Sequence, residues 1–423
     1  MDLLDDLRWR GVVYDHTPDL ADHLAAGPVT AYCGFDPTAD SLHVGSLLPL
    51  MGLARLQRAG HRPIALVGGG TGLIGDPSGK RAERTLLDLE QIEANVRGIQ
   101  AQMEAFLDFS GGAGAKVMNN ADWLTAIPLT DFLRDVGKHF TIGYMTAKES
   151  VRSRMESEVG LSFTEFSYQL LQAYDFLVLH DREGVTLQVG GSDQWGNITA
   201  GTDLLRRTRG ARGHGLVYPL ISNAAGTKFG KTEAGTVWLD PERTSPYRFY
   251  QFWMGTADAD VAGYLKAFTW LDRGEIEALE AQHAEAPHRR EAQRALAQEV
   301  TRMVHGEGGL AAAERATAAL FGGDLSALSP RDLADVFEGV PESEMASGDL
   351  AGEGVDVVSF LADAGAVKSR GEARRLVEAG GVRLGNERVD GTGRRVTVAD
   401  ALHGELVVVR MGKKRVHLVR LAG

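Results

Sequence analysis

Two stretches of the chain carry the residue types that handle phosphate. The first runs Tyr32-Cys33-Gly34-Phe35-Asp36-Pro37-Thr38-Ala39-Asp40-Ser41-Leu42-His43-Val44-Gly45-Ser46. It reads as a strand, a turn at Asp36–Thr38 and a helix opening near Ser41. Helix N-termini present free N–H groups and partial positive charge, so phosphate sits well there. Thr38 and His43 can donate to phosphate oxygens, and Gly45 lets another group pack close. The second stretch is Lys228-Phe229-Gly230-Lys231-Thr232, preceded by Asn223-Ala-Ala-Gly-Thr. Two lysines beside glycines make a cationic loop able to clamp pyrophosphate. Each stretch alone has a plainer reading, because single histidines are commonly structural or solvated and Gly/Lys turns are frequent. Their combination in one chain is what points to nucleotide chemistry.

A third set lies in the run from Phe163 to Leu177, which has a helical pattern. Tyr168, Gln172 and Asp175 stand at i, i+4 and i+7 and so share one face, while Leu170, Leu171 and Tyr174 point elsewhere. Such a polar stripe either faces water or lines a pocket. Gly190-Gly191-Ser192-Asp193-Gln194 follows a strand-like run, where glycines permit close approach of a nucleotide, although Gly-Gly turns without ligands are commoner. Lys80 and Arg84, at i and i+4, follow the glycine-rich Gly72-Leu-Ile-Gly-Asp76-Pro-Ser-Gly-Lys80 and by themselves read as ordinary surface charges.

The elements that must position these residues alternate between β and α patterns in the first half. Strands are expected at Val29–Phe35, Pro63–Val67, Lys116–Met118 and Val185–Val189. Helices are expected at Ser41–Ala59, Leu87–Phe109, Thr130–Val136 and Phe163–Leu177. That alternation predicts an α/β domain with a mostly parallel sheet over residues 1–244. Pro49 should bend its helix or mark an irregularity. Residues 245–330 read as an α-helical domain. Residues 331–354 contain Pro341–Gly354, which is small, acidic and polar, the composition of a mobile linker. Residues 355–423 read as a small α+β domain, with helices at Val357–Leu361 and Arg370–Ala379 and short strands at Val382–Leu384 and Glu405–Met411.

With 423 residues, two or three domains are the prior. The longest apolar runs fall short of the ~18 residues of a membrane span. The acidic start Met1-Asp2-Leu3-Leu4-Asp5-Asp6 does not read as a secretion signal. Cys33 is the sole cysteine, which excludes an internal disulfide and a multi-cysteine metal site. A cytoplasmic location is the expectation. The net charge of −12 is unevenly spread: Val355–Gly423 has 13 Lys/Arg against 8 Asp/Glu, or +5, leaving 32 − 49 = −17 elsewhere. A basic end on an acidic body fits contact with a polyanion, and equally fits a solvated basic surface.

The His43 and Lys228/Lys231 stretches together resemble the HIGH and KMSKS signatures of class I aminoacyl-tRNA synthetases. Gly72–Lys80, Tyr168-Gln-Leu-Leu-Gln172-Ala-Tyr-Asp175 and Gly190-Gly-Ser-Asp193-Gln194-Trp-Gly-Asn are similar to strings of the bacterial-type tyrosyl branch, and the likeness spans nearly the whole chain. The resemblance implies a Rossmann-like catalytic domain that joins tyrosine to ATP and then to tRNA. It implies that Asp175 and Tyr32 bond the phenol, that Tyr168, Gln172 and Asp76 hold the ammonium, and that Gln194 lies beside the reacting carboxylate. Gly191 and Asp193 would meet the ribose, with Cys33, Gly34, Asp36, Gly45 and Ser46 along the nucleotide. Thr38, His43, Lys80, Arg84, Lys228 and Lys231 would serve the phosphates. The implied magnesium travels with ATP, and no dedicated protein metal cage is read from the sequence. The resemblance further implies a homodimer across roughly Lys116–Phe140, an anticodon-recognising helical domain, and an RNA-binding module at the C-terminus.

Two positions depart from the family pattern: Ser46 replaces the second signature histidine, and the lysine loop reads KFGKT. A nucleotidylyltransferase shares the HIGH-like helix start but needs neither the tyrosine stripe nor an RNA-binding tail. A tryptophanyl enzyme is disfavoured by the Tyr32/Asp175 pair. An RNA chaperone built on an inactive synthetase is disfavoured by the intact phosphate motifs.

Overall fold

A computed structural model describes residues 2–78, 89–111, 114–156, 160–222, 229–232, 235–320, 323–412 and 415–422. Contacts divide the chain into two units, Met1–Thr244 with Phe252–Val304, and Ser245–Gln251 with His305–Gly423. The helical region expected at 245–330 is therefore shared between them rather than standing alone. Its long helical run Glu291–Leu320 is interrupted at Gly306, whose φ of 69° and ψ of 179° are non-helical.

The first unit is built on a six-stranded sheet of β1 (Asp15–His16), β2 (Thr30–Phe35), β3 (Arg62–Val67), β4 (Lys116–Asn119), β5 (Val185–Gly191) and β6 (His214–Tyr218). The order is β1-β6-β5-β2-β3-β4. The pairs β2–β3, β3–β4, β2–β5 and β5–β6 are parallel, and only the edge strand β1 runs antiparallel. Parallel strands need covered crossovers, which explains why β3 reads Pro-Ile-Ala-Leu-Val, apolar on both faces and buried. The strand order reverses between β2 and β5, so a crevice opens beyond their carboxyl ends, where ligands bind in open α/β sheets. The strand ends placed there are Gly34–Asp36 and Gly190–Asp193.

Two helices serve that crevice. The motif helix, Leu47–Arg58, follows a short 3-10 turn at Val44–Ser46. It thus starts later than Ser41, and His43 lies outside it in extended conformation as the cap. Pro49 falls in the first helical turn, where its missing N–H breaks no intrahelical bond, so the expected bend has no cause there. The pocket helix, Phe163–Glu183, runs six residues beyond the expected Leu177. A Ser162/Glu165 capping box starts it and Gly184 ends it in the left-handed region. Glu165 also accepts two hydrogen bonds from Arg154, at 2.8 and 3.0 Å, inside a nearly fully buried ion pair.

In the first unit the strands β7 (Lys231–Thr232) and β8 (Gly235–Thr236) form a small antiparallel hairpin. The second unit contains β9 (Glu342–Ala346), β10 (Val355–Asp356), β11 (Val382–Leu384), β12 (Glu387–Arg388), β13 (Arg395–Val396), β14 (Leu406–Met411) and β15 (Arg415–Ala422). Its main sheet has the order β12-β11-β14-β15-β9, and β10 pairs with β13. This corrects the expected 331–354 linker: Pro330–Val336 is a capped helix and β9 is an edge strand parallel to β15. Composition misled because Glu342-Ser-Glu-Met-Ala346 is an edge strand with alternating exposure, and polar residues suit such an edge. Among the described residues no helix is long and apolar enough to cross a membrane.

Candidate active site

A cavity of about 710 Å³ lies in the first unit, against the ends of β2 and β5. Its lining includes Tyr32, Cys33, Gly34, Asp36, Thr38, His43, Gly45, Ser46, Asp76, Tyr168, Gln172, Asp175, Gly191, Asp193 and Gln194. Residues from four separate stretches of sequence therefore meet in one space. Lys80, Arg84 and Lys228 lie outside the described residues, and for Lys231 only the backbone, in β7, is described.

At one end of the cavity sits a buried carboxylate. Asp175, 2% exposed, accepts from Trp123 Nε1 at 2.7 Å and from Asn120 Nδ2 at 3.0 Å. Burial pushes its carboxyl up to about 7, against the pull of those two donors. The Tyr32 hydroxyl is wholly buried without a hydrogen-bond partner. Burial, and then the nearby Asp175 charge, raise it well above the ordinary phenol range. A buried acceptor beside an unpaired hydroxyl suits a ligand that presents one more O–H. Asn120 also donates to Thr71 Oγ1 at 3.0 Å, Thr71 donates to Asp36 Oδ1 at 3.0 Å, and Tyr168 donates to Asp36 Oδ2 at 3.0 Å. A continuous polar chain thus connects Asp175 to Asp36 and Tyr168. The Asp36 carboxylate is engaged on the Tyr168 side, although the resemblance implied a place for Asp36 along the nucleotide.

A second acidic group is held by amides. Gln194 Nε2 donates to Asp76 Oδ2 at 2.7 Å and to Asp193 Oδ2 at 3.3 Å, and Asn197 Nδ2 donates to Gln194 Oε1 at 3.2 Å. The Ser78 N–H donates to Asp76 Oδ1 at 2.8 Å. Asp36, Asp76 and the half-buried Gln172 are therefore gathered where a cationic amine would be neutralised.

At the other end the two phosphate-type motifs meet. His43 Nδ1 accepts from the Gly45 N–H at 3.0 Å. That bond assigns the ring proton to Nε2, making that nitrogen the donor side of the ring. A Cβ on Gly45 would stand 2.6 Å from the His43 ring, so only glycine admits this cap. The Val44 N–H donates to Val237 O at 3.0 Å and the Leu239 N–H to Leu42 O at 2.8 Å, lacing the chain after the lysine loop onto the histidine motif. Gly34, exposed mid-strand, opens onto the cavity, and a Cβ there would meet nothing within 4 Å. Cys33 is buried, donates weakly to Gly34 O, and is pushed up to about 12 by burial and then by the Asp193 charge. It is a neutral thiol rather than a nucleophile. Among the described residues there is no cluster of three or more His, Cys, Asp or Glu able to hold a metal ion.

The site also draws on Asn120, Trp123 and Thr71, which no motif marks, as well as Gln188, which lines the cavity with a buried, unpartnered Oε1. Gln188 is paired in register with Tyr32 across β2–β5. Buried parallel strands read as near-continuous apolar runs, so the glutamine within Val185-Thr-Leu-Gln-Val189 was the available signal. Asn120 and Trp123 had none, since they meet Asp175 across 55 and 52 residues of sequence.

Residues 24–322 match the family described as tRNA synthetases class I (W and Y), and residues 332–419 match a tyrosine–tRNA ligase SYY-like C-terminal domain. The chain is 58% identical to a tyrosine–tRNA ligase of Roseiflexus castenholzii, over 99% of both chains. It is 53% identical to a tyrosine–tRNA ligase of Geobacillus kaustophilus, over 100% of both. Among solved structures it resembles a C-terminally truncated mitochondrial tyrosyl-tRNA synthetase of Aspergillus nidulans, with TM-score 0.69 and 32% identity, covering 76% of this chain and 94% of that one.

Proposed function

The chain belongs to the tRNA synthetases class I (W and Y), and within them to the tyrosine–tRNA ligases, and from that membership we propose how its own residues divide the chemistry. The reaction has two steps. The tyrosine carboxylate attacks the α-phosphorus of ATP, forming tyrosyl-adenylate and releasing pyrophosphate. A terminal hydroxyl of the tRNA then attacks the tyrosyl carbonyl and displaces AMP. The carboxylate is already ionised at neutral pH, so the first step needs no general base. Positioning and stabilisation of phosphate charge carry the catalysis.

The observation that carries the residue assignment is the buried Asp175 acceptor beside the unpaired Tyr32 hydroxyl. The substrate phenol donates to Asp175 and accepts from Tyr32. Phenylalanine would leave the Tyr32 hydroxyl buried without a partner and Asp175 short of one of its donors, which costs more than the lost contact itself. Tyrosyl-tRNA synthetases are the established example of a site that rejects an analogue lacking the hydroxyl it is built to bond. Asp76, Tyr168, Asp36 and Gln172 face the ammonium, and Gln194 stands between Asp76 and Asp193, next to the reacting carboxylate. Asp193, Gly191, Cys33 and Gly34 border the ribose. Thr38, His43 and Ser46 supply donors to the phosphates. Lys80, Arg84, Lys228 and Lys231 complete the positive environment on the strength of sequence alone, and magnesium enters with ATP.

Two further assignments belong to this reading. The second unit and the helices before it hold the tRNA, their cations tracking phosphates rather than bases. The enzyme acts in the cytoplasm as a homodimer. Exposed Leu129 and Leu133, on one face of the helix Leu129–Asp135, together with Ile142 and Phe163, 50 to 78% exposed, supply the apolar surface for it. A monomer by sedimentation at micromolar concentration would refute the dimer.

Tyrosine-dependent ATP–pyrophosphate exchange tests the activity, and its absence in the intact protein would overturn it. In the same assay Thr38→Ala and His43→Ala are expected to slow adenylate formation on the order of 10- to 10³-fold, because they remove donors needed mainly in the transition state. Tyrosine affinity should hardly change. A change confined to the tyrosine dissociation constant would put both residues in the wrong part of the cavity.

A further inference from the structure

Phe229 lies between the lysines of Lys228-Phe229-Gly230-Lys231, yet it is only 9% exposed. Its ring is enclosed by four others. It stacks on Phe268 at 5.3 Å and 7°, and meets Tyr264 edge-on at 5.1 Å and Phe252 at 5.6 Å, with Trp253 tilted at 5.7 Å. Phe252 and Trp253 belong to the helix Pro246–Met254, and Tyr264 and Phe268 to the helix Val261–Phe268. An aromatic side chain in a cationic loop would ordinarily face the substrate or water. This one is driven into a box made by helices that carry none of the phosphate motifs.

The residue after it is pressed the other way. Gly230 has a φ of 79°, and a Cβ there would stand 2.6 Å from Val44 Cγ2. Phe229 and Gly230 are thus pinned between the aromatic box and the turn that follows His43. The box is itself tied to the motif helix. Arg55 of that helix is buried and donates to Lys266 O at 3.2 Å, Ala267 O at 2.9 Å and Thr269 O at 3.3 Å, around the end of Val261–Phe268. Arg10 donates to Lys266 O at 3.1 Å and Leu271 O at 3.0 Å. The histidine motif, through Arg55, and the lysine loop, through Phe229, are therefore referenced to one helix end.

We propose that Phe229 is a positioning residue for adenylate formation, a hook that sets the flanking lysines against the histidine motif by docking in the Phe252/Trp253/Tyr264/Phe268 box. The inference rests on the phosphate role given above to Lys228 and Lys231. Phe229 touches no reacting atom. Its effect should appear in the step that needs the lysines and be silent in tyrosine binding.

The test is single-turnover adenylate formation alongside tyrosine titration, for the full chain carrying Phe229→Ala, Phe229→Leu or Phe229→Tyr. Phe229→Ala is expected to lower the maximal rate on the order of 10- to 100-fold, the scale of misplacing a catalytic group by about 1 Å. Its tyrosine dissociation constant should stay within about twofold, and Phe229→Tyr, which keeps the ring, should recover most of the rate. Should Phe229→Ala not fold, Phe229→Leu fills much of the box without stacking, and the same loss of rate is expected of it. A wild-type rate in the Ala or Leu variant overturns the proposal. So does an equal loss in tyrosine affinity, which would make Phe229 a general packing residue. If the wild-type chain itself shows no tyrosine-dependent adenylate, the activity reading fails instead, and the hook has nothing to position.

Discussion

Replacing Asp175 by asparagine or alanine is expected to cut kcat/KM for tyrosine in pyrophosphate exchange by about 10²- to 10³-fold, the scale of losing a buried, charge-assisted hydrogen bond. Asn120 and Trp123 already donate to the two oxygens of Asp175. The carboxylate can serve them and the substrate phenol together because it is acceptor-only. An asparagine turns one of those positions into a donor that faces another donor. Alanine removes both acceptors and leaves the Trp123 Nε1–H and one N–H of the Asn120 amide unpaired as well, the other still donating to Thr71. Equal tyrosine activation by wild type and either variant would sink the pocket assignment.

A pH signature follows from the same residue. Burial raises its carboxyl from 3.8 to about 7. A raised acid is most comfortable when neutral, so its contribution to folding is full below the unfolded value and lost as pH rises through about 7. Tyrosine binding runs the opposite way, since the phenol donates to the ionised form. Tyrosine affinity should fall as pH drops below about 7 in the wild type and stay nearly flat in Asp175→Asn. Isothermal titration from about pH 5.5 to about 8.5 reads this directly, the range being chosen to bracket that value. Identical pH profiles for the two proteins would remove Asp175 as the titrating group.

Removing Gly323–Gly423 is expected to leave tyrosine-dependent exchange near the wild-type level and to reduce tRNA charging on the order of 10²-fold or more, through the lost phosphate contacts. Every residue proposed for tyrosine or ATP lies at or before Lys231. Within the second unit, Ala316 and Ala319 pack with Leu325, Leu328, Leu333, Val408 and Leu418. A cut before Gly323 uncovers mainly the small alanines and Tyr247. A cut before Val355 is a worse choice. It would strip β9 of its partner β15 and expose Leu325, Leu328, Leu333, Val336 and Phe337, so aggregation is expected of that shorter deletion. Exchange and charging measured at matched salt separate the possibilities. If both fall together for the Gly323 cut, the second unit supports the catalytic fold. If neither falls, it does not hold the tRNA.

The parallel sheet, the pocket helix and the chemical character of the site are all legible in the order of residues. Those features are written in local patterns: the apolar run of β3, the i, i+4, i+7 spacing of Tyr168, Gln172 and Asp175, and motifs whose residue types match phosphate. Edge strands are less legible. β9 reads as linker because one half-buried face in a short polar strand leaves too little periodicity to show. Pro49 reads as a break because its effect depends on where the helix begins, and the intervening 3-10 turn at Val44–Ser46 moves that start. The charge state of Asp175, its support by Asn120 and Trp123, the engagement of Asp36 by Tyr168 and Thr71, and the burial of Phe229 among four rings arise only in the folded chain. Each of these depends on desolvation or on side chains brought together from distant segments. No spacing rule along the chain encodes a contact that exists only once the crevice between β2 and β5 has closed around it.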